Sequence, residues 1–228
     1  MNAKAWFAEF IGTFTLIFAG VGSIAADHLT NGAVGLTGIA LAHGLAIAVM
    51  VSATAAVSGG HLNPAVTFGA LTAGAIDVKN AIGYILAQCL GGLVASYAVL
   101  LCVPSEALHA ANFGTPALAR DVGVSQGLLT EIILTFFLMF VVYGTAMDKR
   151  APKTGGLFIG LTITLGVLVG GPITGAAMNP ARHFGPALAS GMTEHFWLYW
   201  VGPITGAVIA AAAYRNILEG DAGPKEAA

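Results

Sequence analysis

Apolar residues fill long stretches of this chain almost without interruption. From His28 to Ile76 there is no Asp, Glu, Lys or Arg, a length sufficient for two bilayer crossings at about 20 residues each. Trp6–Ala25 precedes that region, and Ala81–Val103, Gln126–Met147, Gly155–Gly170 and Phe196–Arg215 follow it. The pattern predicts six membrane-spanning helices. The first has no small-residue cleavage pattern followed by a soluble domain, so a removable signal peptide is not expected.

Two Gly-rich stretches break the apolar pattern, and each contains Asn-Pro-Ala: Asn63-Pro64-Ala65 and Asn179-Pro180-Ala181. Asn is a favoured helix N-cap, and Pro suits the first helical position because its missing N–H would be unpaired there anyway. Each triplet therefore reads as a helix start, with unpaired N–H groups and partial positive charge at that end. The first of these helices, Asn63 to Ala73, would be roughly 16 Å long, about half of a hydrocarbon core. Such half-helices cannot span alone. Entering from opposite faces, two would meet N-terminus to N-terminus near the midplane. Their approaches, Ser58–Leu62 and Thr174–Met178, would be non-helical backbone at membrane depth, which is tolerated only inside protein or along a water-filled cavity.

Composition fits the same picture, at 57% hydrophobic and 9% charged against about 25% charged in a soluble domain. The net charge of -2 says little about partners, and nucleic acid is not expected among them. If six spans alternate, Lys4, Lys79, Lys149, Arg150, Lys153, Arg215 and Lys225 fall on one side, with Arg120 opposite. The bias predicts cytoplasmic termini. Cys89 and Cys102 read as packing residues, since two thiols make no metal cage. No cofactor or metal is expected.

The chain is also internally duplicated. Glu9–Phe18 aligns with Glu131–Phe140, and Ser58–Gly69 with Thr174–Gly185. Each copy holds three spans, an odd number, so the second enters the membrane inverted, as in transporters with a site at the repeat interface. The expected organisation is one membrane domain, 1–228, built of inverted repeats 1–112 and 113–228, with a mobile tail at 219–228. Glu9 and Glu131 are intramembrane carboxylates; since they duplicate as the loops do, they read as structural braces for orphan loop N–H groups rather than proton carriers. Gly156/Gly160, Gly166/Gly170 and Gly202/Gly206 read as close-packing positions between helices.

On these residues the chain resembles the aquaporin family of major intrinsic proteins. The likeness runs through the Glu-x-x-x-Thr pair of spans one and four, both Asn-Pro-Ala loops, Arg182 after the second, and Tyr199-Trp200 in span six. It implies an all-α fold of six spans and two re-entrant half-helices, working as a passive water channel. Asn63 and Asn179 would turn one passing water and interrupt proton transfer, helped by the positive half-helix ends. The carbonyls of Gly59, Gly60, His61 and Leu62, and of Gly175, Ala176, Ala177 and Met178, would line the path. His43, Val167, Ala176 and Arg182 would form the selectivity constriction. This set departs from the usual water-selective pattern and is similar to that of plant vacuolar aquaporins, so ammonia or hydrogen peroxide are expected extras.

His183 stands where water channels commonly carry Ser and glycerol channels Asp; an imidazole near the pore suggests a pH-sensitive contact. A glycerol facilitator is the first alternative, against which Tyr199-Trp200 argues. An ion-coupled transporter is the second, and it lacks a coordinating acid besides Glu9 and Glu131. For a membrane enzyme, Ser58 and His61 have no third group to orient them. The resemblance further implies a homotetramer, with water, small neutral solutes and lipid as partners. Short loops and small size suggest a prokaryotic inner membrane.

Overall fold

A computed structural model describes residues 2–151 and 154–219. Its helices in chain order are α1 (Ala3–Leu29), α2 (Gly35–Ser58), α3 (Pro64–Thr72), α4 (Val78–Cys102), α5 (Ser105–Ala110), α6 (Val124–Val142), α7 (Gly155–Thr174), α8 (Pro180–Ser190) and α9 (Leu198–Ala213). A 3-10 turn, Asn112–Gly114, follows α5, and wide π turns extend α6 through Met147 and α9 through Leu218. Six helices are long and apolar enough to cross a membrane. They correspond to the six apolar stretches and run past several of their ends; α7, for one, continues through Pro172 to Thr174. A proline is tolerated in a membrane helix where neighbours satisfy the freed backbone group.

Local chemistry sets the ends. Asp77 accepts from the Asn80 N–H at 2.9 Å and starts α4, while α2 and α7 both stop at a left-handed glycine, Gly59 (φ 86°) and Gly175 (φ 80°), the usual αL terminator. Both half-helices begin where the capping argument put them. Asn63 and Asn179 are extended, at φ -159° and -156°, with Pro64 and Pro180 opening the helix.

The two halves clasp each other. In each, the first span packs on the third, α1 on α4 and α6 on α9. The half-helices cross over: α3 rests against α9 and α8 against α4. At the centre α2 packs along α7. Small residues permit these approaches. A Cβ on Gly91 would strike the Phe10 carbonyl, and one on Gly206 would strike the Ile132 carbonyl, equivalent contacts in the two repeats. The paired glycines on α7 and α9 serve the same end, with Gly166 against Met178, Gly170 against Leu134 and Gly202 against Glu131.

The molecule encloses polar groups within its core and turns large apolar side chains outward. Glu9, Glu131 and Thr135 are wholly buried, whereas Leu86, Val49 and Leu101 are exposed. Hydrocarbon around the molecule rewards that outer surface, and the enclosed polar groups must find partners within.

At the terminal side, Asp148 accepts from the Arg150 backbone N–H at 2.9 Å and from its guanidinium at 2.5 Å, and Arg150 also donates to the Leu218 carbonyl at 2.9 Å. Arg150 beside it holds the Asp148 carboxyl well below the usual carboxylate range. Tyr143 donates to Glu219 at 2.5 Å. Glu219, the first residue of the expected tail, thus has a hydrogen-bond partner. The remainder of that tail, with Lys225, and also Lys153, lie outside the described residues.

Candidate pore and its constriction

Each re-entrant loop bends through left-handed backbone at three matching positions: Gly59, Gly60 and Leu62 in the first, and Gly175, Ala176 and Met178 in the second. For the non-glycine members this conformation costs on the order of 1 kcal/mol each, so something must hold it.

The buried glutamates do. Glu9 Oε1 accepts from the Ser58 hydroxyl (2.6 Å) and the His61 N–H (2.9 Å), and Oε2 from the Leu62 N–H (2.5 Å) and Gln88 Nε2 (2.7 Å). Glu131 repeats the design, accepting from the Thr174 hydroxyl (2.7 Å) and the Ala177 (2.9 Å) and Met178 (2.8 Å) N–H groups. Tyr84 donates to the Ser58 carbonyl at 2.8 Å and Tyr199 to that of Thr174 at 2.9 Å. Charge-assisted bonds of this kind are about twice as strong as neutral ones. Ser58, Thr174, Tyr84, Tyr199 and Gln88 escaped the sequence reading as brace partners. Extending the repeat alignment to the third spans, where Tyr84 and Gly91 match Tyr199 and Gly206, would have found the tyrosines.

The two asparagines face each other's loops. Asn63 Oδ1 accepts from its own helix at the Ala65 N–H (2.8 Å), and Nδ2 donates to the Met178 carbonyl (2.8 Å). Asn179 Oδ1 accepts from the Ala181 (3.0 Å) and Arg182 (3.2 Å) N–H groups, and Nδ2 donates to the Leu62 carbonyl (3.0 Å). One N–H of each amide is thus committed across the interface and one remains for a ligand. Through these bonds the Leu62 and Met178 carbonyls also lock the two halves together. Gly175 lies against Pro116, and Gly59, Gly60 and His61 border a vestibule of about 500 Å³ on the terminal side.

Between the loops lies a cavity of about 20 Å³ bordered by His43, Asn63, Val167, Ala176, Asn179 and Arg182. A single water needs roughly 10–15 Å³ on this measure. His43 sits opposite Arg182, with Nε2 at 3.4 Å from Nη2, and its Nδ1 lies 2.8 Å from the Ile39 carbonyl. A carbonyl only accepts and a guanidinium only donates, so Nδ1 carries the proton and Nε2 the lone pair. The imidazole fits because Gly20 faces it without a side chain. Arg182 is fixed on its other side by donation from Nη1 to the Gly114 carbonyl at 2.7 Å. Gly114 left no mark in the sequence as an anchor.

His183 does not reach this cavity. It is fully buried and stacked on Tyr199. Consecutive helical residues point about 100° apart, so Arg182 turned inward sends His183 to the back of the half-helix. The expected pH-sensitive contact at the pore is therefore corrected to a packing contact.

The family model described as Major intrinsic protein matches residues 1–214. Aquaporin TIP4-4 of Zea mays is 45% identical over 229 residues, covering 96% of this chain and 88% of that protein. Aquaporin TIP1-2 of Musa acuminata is 44% identical over 227 residues, with 96% and 88% covered. In three dimensions the chain is similar to the aquaglyceroporin from Plasmodium falciparum, with a TM-score of 0.85 at 26% identity over 95% of this chain and 97% of that one. These plant relatives are TIP-type (tonoplast) aquaporins, eukaryotic proteins, and that finding overturns the expected prokaryotic inner membrane. Loop length and size reflect how compactly the spans are joined; the hydrocarbon core they cross has a similar thickness in either membrane. By the match along nearly its whole length and the identity to these relatives, the chain belongs to the major intrinsic protein family.

Proposed function

We propose that this chain conducts water passively, as a single domain of two inverted repeats, 1–112 and 113–228, with one pore through their interface. The observation that carries the reading is the water-sized cavity that borders Asn63, Asn179, His43 and Arg182 together. Asn63 and Asn179 each keep one N–H for a passing oxygen, and the half-helix N-termini add positive potential at the same depth. That pairing turns the water and opposes hydronium and cations. Arg182 repels cations at the constriction. Val167 and Ala176 are small, which supports passage of ammonia or hydrogen peroxide beside water. Glycerol is the competing solute, and ion-coupled transport the competing mechanism. Family membership supports a homotetramer with one pore per subunit, testable by native mass measurement.

The test is flux in proteoliposomes of the folded protein for water, glycerol, methylammonium, peroxide and protons, with wild type beside His43→Phe combined with Val167→His. Expected are fast, unsaturated water flux without ion dependence, and narrowed passage of the larger solutes in the double variant. Wild-type vesicles that shrink no faster than empty ones would refute the reading.

A further inference from the structure

The two repeats brace their loops alike yet differ at one pair of positions on either side of the Asn-Pro-Ala triplet. In the first, His61 precedes the triplet and Thr67 follows it. The His61 ring meets the Thr67 hydroxyl at 3.1 Å through Nδ1 and stands edge-on to Tyr84, with centroids 5.2 Å apart. In the second, the equivalent residues are Ala177 and His183, so the imidazole has changed sides. His183 lies flat on Tyr199, with centroids 4.1 Å apart and planes 13° apart, and Phe196 closes on its edge at 5.2 Å. Each imidazole thus packs on the tyrosine that holds its loop's carbonyl, Ser58 in one half and Thr174 in the other.

We propose that His183 is a positioning residue for the constriction. Its ring supports Tyr199 from behind the second loop, as His61 supports Tyr84 from the lumen side of the first, and through the Tyr199–Thr174 bond it keeps Ala176 and Arg182 in place. The inference rests on the channel reading and deepens it. Among the described residues neither ring nitrogen of His183 has a hydrogen-bond partner, although both are buried. Burying unpaired polar atoms is unfavourable, so the ring's shape and stacking, not its hydrogen bonding, are what the site uses. The exchange also makes the lumen unequal: His61 lines both the vestibule and the central cavity, while the equivalent place beyond the midplane carries only the Ala177 methyl. Bulk withdrawn from the lumen there is returned behind the loop.

The experiment compares wild type, His183→Phe and His183→Asn in proteoliposomes, reading the ratio of glycerol to water permeability, which does not depend on how much protein is folded. Phe keeps the ring without nitrogens; Asn keeps a polar group without the ring. The expected result is a wild-type ratio for His183→Phe and a ratio raised about three- to tenfold for His183→Asn, the change that one aromatic stack corresponds to. A wild-type ratio in His183→Asn, or a raised ratio in His183→Phe, overturns the proposal. Wild-type protein without water flux is a separate result, which removes the channel reading and this inference with it.

Discussion

Gly44 and Gly160 meet where α2 crosses α7, so closely that a Cβ on either would overlap the carbonyl oxygen of the other. Counted back from Ser58 and Thr174, they are equivalent positions, which places the pseudo-two-fold axis of the molecule between them. Both contacts are to backbone, which cannot rotate away as a side chain can. Gly160→Ala should therefore cost about 1–3 kcal/mol of stability through overpacking. Thermal aggregation in detergent measures it, with Gly22→Ala as the control because nothing lies within 4 Å of a Cβ there. Equal midpoints for the two variants would contradict the crossing.

Glu131 accepts three hydrogen bonds and offers nothing in return. Replacing it by Gln turns an acceptor into a donor that faces donors. Glu131→Gln should lower stability by about 1.5–3 kcal/mol, the worth of a hydrogen bond to a charged group, and Glu9→Gln should behave alike. Denaturation in mild detergent reads the loss. A variant as stable as wild type with altered proton flux would instead point to a proton carrier.

Much of the architecture was legible because its causes are local. Hydropathy runs give the spans, Asn-Pro gives the half-helix starts, and duplication pairs Glu9 with Glu131. What escaped depends on distant packing: the side chains that brace the loops, and main-chain atoms such as the one that holds Arg182. Gly114 holds Arg182 with a carbonyl, and it is delivered by three successive left-handed residues, Asn112, Phe113 and Gly114 at φ 47°, 54° and 63°. Phe113 is an unlikely residue for such a turn, so no turn signal marks it. The bonds from Asn63 and Asn179 to the Met178 and Leu62 carbonyls left no mark either, because sequence leaves silent which carbonyl a remote amide will claim.

Gly20 makes room for the imidazole of His43. A methyl there would displace the ring and break its contact with Arg182. Gly20→Ala should therefore change the ratio of glycerol to water permeability by about tenfold, the effect of roughly 1.4 kcal/mol on one barrier. An unchanged ratio in stopped-flow vesicles would separate His43 from selectivity.

Asp148 ties the end of α9 through Arg150. Its carboxyl is depressed in the folded protein, so its stabilisation is present above the ordinary carboxylate range near pH 4 and is lost only as pH falls through the depressed value. Resistance to proteolysis after Leu218 should hold from pH 8 to about pH 5. Asp148→Asn should be cleaved faster throughout that range. Wild-type protein that becomes susceptible by pH 6 would show that another group controls the segment.

Asn63 donates to Met178 across 115 residues of chain, and Asn179 returns the bond to Leu62 across 117. Each bond joins one repeat to the other, so neither can form within a single half. Until the second triplet is in place, the Leu62 carbonyl lacks its Asn179 donor. Contacts so distant in sequence form late, which makes the midpoint the last polar site of the chain to be satisfied. A first repeat alone would leave that carbonyl without its Asn179 donor, so the centre of the molecule is complete only when both halves are in place.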